Sequence, residues 1–176
     1  MPETEKLLID DFSDPGGRAA YGTRWRGFTD RVMGGVSEMQ TTRGETDRGP
    51  ALRIAGSVRL ENNGGFIQAR LPLTRDLAPL DASAFDAVRM QVRGTPGPYF
   101  VHLRTPDSKR PWQYYRAELP VGPSWSEQNV AFDAFVGKSI RGRPDFSRLE
   151  SIAVVAYGEA FDARIEIARI ELIAAR

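Results

Sequence analysis

Arginines, amides and aromatic rings recur at alternate positions in four stretches, and that pairing is the chemistry this sequence offers. In Val88-Arg89-Met90-Gln91-Val92-Arg93 the apolar side chains fall on even positions, which leaves Arg89, Gln91 and Arg93 on the other side. In Tyr99–Arg104, Val101 and Leu103 point inward with Tyr99, leaving Phe100, His102 and Arg104 outward. Farther on, Tyr115, Ala117 and Leu119 are the more apolar set. A hairpin that matches the two inward sets places Arg104 opposite Trp112 and His102 opposite Tyr114. Gln68 and Arg70 occupy the polar side of the fourth stretch. Together Arg70, Arg93, His102, Arg104, Trp112 and Tyr114 make a candidate ligand-binding face on one sheet. Guanidinium groups there hold anions or hydroxyls through a planar fork, and rings stack sugars or planar groups. The same pattern also suits a plain solvated sheet face covered by long side chains.

Catalytic and metal chemistry is sparse beside this. The chain has no cysteine, so disulfides, thiolate nucleophiles and cysteine-ligated zinc are excluded. His102 is the only histidine; a Ser-His-Asp triad would have to use it, and a two-histidine metal site is impossible. No cofactor is expected, and no metal role for His102. Asp10 and Asp11 are strand neighbours that point to opposite faces, which gives one inward cap and one solvated charge rather than an acid pair. Gly34-Gly35 and Gly64-Gly65 continue into neither a Gly-Lys-Ser/Thr run nor a dinucleotide fingerprint. The expectation is a protein that is not an enzyme.

The elements that must position such a face read as strands. At 176 residues, with 41% hydrophobic and 27% charged residues, the chain suits one globular domain spanning 1–176, with a core from about 7 to 173. Its formal charge of +1 supplies no global attraction for nucleic acid or anionic membrane, although only Lys6, Lys109 and Lys138 of the 24 basic residues are lysine. Alternating runs at Leu7–Phe12, Val88–Arg93, Tyr99–Arg104, Trp112–Leu119, Asn129–Phe132 and Ile152–Tyr157 are separated by glycine- and proline-rich joints. In the final run Phe161, Ala163, Ile165 and Ile167 are odd but Ile170 and Leu172 even, so a bulge near Ala168-Arg169 is expected. Between Leu52 and Leu71 two alternating runs flank Asn63-Gly64, a dipeptide suited to a type I′ turn with positive φ at Gly64. Closing a hairpin there sets Leu60 opposite Ile67 and Val58 opposite Ala69. Almost no helical repeat is visible. The fold class is all-β, an antiparallel two-sheet sandwich. With no basic n-region before a long apolar run, the N-terminus does not read as a signal peptide, and no run approaches membrane-spanning length. The expectation is a soluble, cytoplasmic protein with no membrane insertion.

Two glycine-centred blocks are more specific: Val32-Met33-Gly34-Gly35-x-Ser37 and Leu60-Glu61-Asn62-Asn63-Gly64-Gly65-Phe66. With Arg93-Gly94, Trp125, Phe132-Asp133-Ala134-Phe135, Arg141-Gly142-Arg143 and Ile165-Glu166-Ile167, they resemble the complex I intermediate-associated protein 30 family, in its order, from about Leu7 to Leu172. The resemblance implies a galactose-binding-like jelly roll without established enzymatic activity. It also implies an assembly or chaperone-like role, since mitochondrial members assist respiratory complex I assembly and some plant relatives act on RNA. The chain departs from the family at Thr95-Pro96, where an aspartate often follows Arg-Gly. The expected function is thus a non-catalytic binding module for a protein partner or a carbohydrate-like ligand. The alternative is an RNA-binding module that uses the arginine and aromatic face.

Overall fold

A computed structural model describes residues 5–174, and its strands lie in two stacked antiparallel sheets. The first contains β1 (Lys6–Asp10), β3 (Glu38–Thr46), β4 (Gly49–Val58), β8 (Ala87–Gly94), β11 (Ser126–Ala131) and β14 (Phe161–Ile173). Its order is β11-β8-β14-β4-β3, with β1 also paired to β14. The second contains β2 (Arg26–Thr29), β5 (Phe66–Pro72), β9 (Tyr99–Arg104), β10 (Tyr114–Glu118), β12 (Val136–Lys138) and β13 (Ser151–Tyr157), ordered β12-β10-β9-β13-β5-β2. A two-residue ribbon pairs β6 (Thr74–Arg75) with β7 (Ala78–Pro79).

Period-two alternation builds the core. Leu52, Ile54, Val88, Met90, Val92, Ile165 and Ile167 face inward from the first sheet, against Ile67, Leu71, Val101, Leu103, Tyr115, Ile152 and Val154 from the second. Each such side chain removed from water contributes about 1.5–3 kcal/mol. The expected bulge in the last strand is present: Ile167 pairs with Val92, but Arg169 pairs with Gln91, so Ala168 is the extra residue. It lets Ile165 and Ile167 share the core with Ile170 and Leu172.

Two sequence expectations are corrected. The Asn63-Gly64 break does not close a hairpin, because β4 pairs with β3 and β14, whereas β5 pairs with β13 and β2 in the other sheet. Leu52, Ile54 and Val58 on β4 and Ile67, Ala69 and Leu71 on β5 do reach the core, but from opposite layers, while Leu60, past the end of β4, is exposed. Alternation cannot distinguish side-by-side strands from face-to-face ones. Positive φ falls on Asn62 (60°), Asn63 (58°) and Gly65 (124°), while Gly64 sits at −75°. Asparagine tolerates the left-handed region well enough to turn the chain there. The β9–β10 register also differs. His102 pairs with Arg116 and Leu103 with Tyr115, a shift of two residues absorbed by the 105–113 loop, which holds Trp112 outside the strand. An even shift keeps every side chain on its expected face. The strand β3, almost wholly exposed, has no apolar alternation and gave no signal in the sequence.

Candidate functional site

The outer face of the second sheet has a valley because of what β13 presents there. Ser151, Ala153 and Val155 point outward between two taller rows, Phe66, Gln68 and Arg70 on β5 and Phe100, His102 and Arg104 on β9. The registers place Ala153 between Arg70 and His102, and Val155 between Gln68 and Phe100. The resulting groove encloses about 570 Å³, within the range of ligand sites. Tyr157, Phe66, Val32 and Met33 line the end where β13 meets the start of β5, and Trp112 and Pro111 line the Arg104 end. Trp112 is 60% exposed, as are the side chains of Val32 and Met33 to a similar degree.

Five of the six residues expected on this face are in the groove: Arg70, His102, Arg104, Trp112 and Tyr114. Arg93 is not. Its strand, β8, lies in the first sheet, so its outward side is the opposite surface of the protein. There its guanidinium sits 4.7 Å over the Trp125 ring, and Nε donates to Glu166 at 3.2 Å. The facing was legible in the sequence; the sheet was not.

The five do different jobs. Arg104 is a clamp: Nη1 donates to the Pro111 and Gln113 carbonyls at 3.1 and 3.0 Å, and Nη2 to those of Ser108 and Arg110 at 2.9 and 3.1 Å. Those four bonds fix the loop that carries Trp112. Tyr114 stacks on His102, with ring centroids 4.1 Å apart and planes 15° apart. Arg116 lies 4.4 Å over both Phe100 and Tyr157 and donates to the Tyr114 hydroxyl. Arg70 has its face on Phe28 at 4.6 Å, and no carboxylate among the described residues forms an ion pair with it. Stacking uses the face of the guanidinium and leaves its N–H edge free.

Three buried polar atoms on this floor have no hydrogen-bond partner: Gln68 Oε1, Arg70 Nε and His102 Nε2. Gln68 and His102 are only 7% and 6% exposed. Buried polar atoms are normally satisfied by protein or by water, so each of the three can take one further polar partner in the groove. Burial, and then the cations Arg116, Arg70, Arg104 and Lys138, push the His102 imidazole well below its usual pKa, which leaves it neutral. Burial, with Arg104 nearby, lowers Arg70 to about 10. None of the described residues lining the groove is acidic, so it lacks the carboxylate pair used in glycoside hydrolysis.

The two glycine blocks meet beside this groove. Asp30, fully buried, accepts from the Ser37 hydroxyl (2.5 Å), Ser37 N–H (3.0 Å), Gly65 N–H (2.5 Å) and Phe66 N–H (3.3 Å). A side chain on Gly35 or Gly64 would run into the Asp30 carboxylate, so each must be glycine for close approach. Burial alone would raise the carboxyl's pKa, but the hydrogen bonds from Ser37, Gly65 and Phe66 outweigh it and hold the group below its usual range. The Met33-Gly34-Gly35 and Asn62-Asn63-Gly64-Gly65-Phe66 blocks are thus one knot. It sets the short helical turn Asp30–Met33 at the groove's edge.

The sequence profile of complex I intermediate-associated protein 30 matches residues 12–156, a span that contains this knot and most of the groove. The chain belongs to the complex I intermediate-associated protein 30 family. No curated protein sequence matches this family member significantly. Its fold is shared with carbohydrate-binding modules. The family 11 module of cellulosomal cellulase Lic26A-Cel5E of Clostridium thermocellum superposes with a TM-score of 0.75 at 14% identity, over 99% of this chain and 97% of that one. The Clostridium thermocellum family 11 module in complex with a β-1,3-1,4-mixed-linked tetrasaccharide gives 0.72 at 13%, over 99% and 98%. The family 30 module of Cel9D-Cel44B from the same organism gives 0.68 at 12%, over 97% and 98%. At these identities the likeness is one of fold. No helix among the described residues is long and apolar enough to cross a membrane.

Sequence inspection missed Phe28, Ser151, Ala153, Val155 and Tyr157 as groove residues. The signal for the floor was available: small outward residues alternate with Ile152, Val154 and Ala156 along β13. What it lacked was the knowledge that β13 is central in its sheet.

Proposed function

We propose that this protein is a non-catalytic binding module whose groove along β13 holds a carbohydrate-like ligand. The observation that carries this reading is the trio of unpartnered polar atoms on the floor, an acceptor on Gln68, a donor on Arg70 and an imidazole nitrogen on His102. Sugar hydroxyls both donate and accept, so one polyhydroxylated ligand can satisfy all three. Trp112, 60% exposed at the Arg104 end, supplies an apolar face of the kind on which sugar rings stack. The fold's use in carbohydrate-binding modules supports the same reading by analogy. RNA is less well served: the rings of Phe28, Phe100 and Tyr157 already carry the guanidinium groups of Arg70 and Arg116.

The test is a calorimetric and amide-shift titration with oligosaccharides, neutral and acidic, including a β-1,3-1,4-mixed-linked tetrasaccharide. Shifts confined to β5, β9, β13 and the 105–113 loop are expected, and Trp112→Ala should weaken binding by about 0.5–1.5 kcal/mol while leaving the fold intact. If no oligosaccharide perturbs these residues, the reading is wrong.

A further inference from the structure

The groove's charge says more about its ligand than its shape does. Four cations surround the floor: Arg70 and Arg104 line it, and Arg116 and Lys138 lie on the adjoining strands β10 and β12. No acidic residue lines it, and neither Arg70, Arg104 nor Arg116 has an ion-pair partner among the described residues. The opposite sheet behaves differently, since Arg53 and Arg93 share Glu166, and Arg89 meets Glu127 and Glu171. Carboxylates balance the arginines on one outer face and are withheld from the groove on the other.

Of the two arginines that line the groove, one is available. Arg104 spends both terminal nitrogens on four backbone carbonyls, and Arg116, outside the lining, is sandwiched between rings and bonded to Tyr114, although its Nε too is buried and unpartnered. Arg70 keeps its edge free, with Nε buried and unpartnered. A planar fork pairs bidentately with carboxylate or phosphate, and with one free arginine in the lining the singly charged carboxylate is the better match. Resting on the groove-binding reading above, we infer that the ligand is an acidic saccharide, with a uronic acid carboxylate seated over Ala153 between Arg70 and His102. The registers put those two residues on the strands flanking Ala153, about 9–10 Å apart across the valley. A carboxylate paired to Arg70 there leaves the His102 Nε2 within reach of a hydroxyl on the same sugar. The neighbouring sugar then lies over Val155, where Gln68 Oε1 accepts from it. Neutral His102 can donate to or accept from a sugar hydroxyl through Nε2, according to its tautomer.

The decisive comparison is between oligouronates and their own methyl esters, which lack the charge and carry one added methyl per carboxyl. Trigalacturonate, trimannuronate and triglucuronate, each with its ester, would be titrated into the intact protein by calorimetry at low and at moderate salt. At least one acid should bind, its ester at least tenfold more weakly, and added salt should erode the acid's affinity. Arg70→Gln should lose at least tenfold in affinity for that acid and no longer tell acid from ester, with Arg70→Lys between. Because the ester comparison uses the unaltered chain, it stands even if an Arg70 variant unfolds. Esters or neutral glucans binding as tightly as the acids would overturn this inference and leave groove binding intact. Failure of acids, esters and neutral saccharides alike would overturn both.

Discussion

Replacing Asp30 with asparagine tests the knot that joins the two glycine blocks. The substitution keeps shape and removes charge. In the native protein Oδ1 accepts one N–H, from Ser37, and Oδ2 accepts three donors: the Ser37 hydroxyl and the N–H groups of Gly65 and Phe66. An asparagine amide must turn its NH2 toward one of these sets. The cheaper choice faces the Ser37 N–H, leaving one buried donor opposed by another, at a cost of about 1–3 kcal/mol. The three remaining bonds lose their charge assistance, roughly halving each. These sum to about 3–7 kcal/mol, but the neutral amide is cheaper to bury than the carboxylate, which offsets part of the loss and leaves about 2–4 kcal/mol, a large share of a stability of about 5–15 kcal/mol. At about 2–4 °C per kcal/mol for a domain of this size, Tm should fall by roughly 5–15 °C in a thermal melt at pH 7. The pH dependence fixes the sign. Hydrogen bonds hold the folded carboxyl below its usual range, so its contribution is present above the unfolded pKa of about 3.9. It is lost as pH falls through the folded value, so the gap between wild type and variant should close in acid. A loss under 0.5 kcal/mol at pH 7, or a gap independent of pH, would refute the account of the knot.

Gly64→Ala should cost about 2 kcal/mol or more in urea denaturation, because its Cβ would lie 2.5 Å from Asp30 Oδ2 rather than because of its φ. In an Asp30→Ala background, where the opposing carboxylate is gone, Gly64→Ala should cost much less, which would confirm the contact as the cause. Arg104→Lys should loosen the loop below Trp112, since one ammonium cannot reach four carbonyls; faster hydrogen exchange at 105–113 with an otherwise native spectrum is the expected outcome. His102 is held neutral in the fold, so below the unfolded pKa of about 6.5 the unfolded chain takes up a proton that the native protein refuses. Stability should therefore fall by up to about 1.4 kcal/mol per pH unit below 6.5, and His102→Gln should flatten that slope in urea titrations.

Alternation along the sequence showed which way the side chains of the core strands face. Pleating is local: a strand shows alternate residues to opposite sides wherever it lies, so the inward sets at Val88–Val92, Val101–Leu103 and Ile165–Ile167 were legible, and with them the all-β class. The phase change that marks the bulge at Ala168 is local in the same way. Sheet membership is not. The backbone bonds that join β8 to β14 are the same kind as those joining β9 to β13, and nothing in the alternation of Arg93 separates it from that of His102. Only the non-local pairing put Arg93 against Glu166 on one surface and Arg70, His102, Arg104 and Tyr114 around a groove on the other. The glycine blocks were recognisable as motifs, yet their reason lay in Asp30, whose partners Gly65 and Phe66 are 35 and 36 residues away. The groove itself was decided last of all, by β13 falling between β5 and β9, because a strand of small outward residues makes a valley only when taller neighbours flank it.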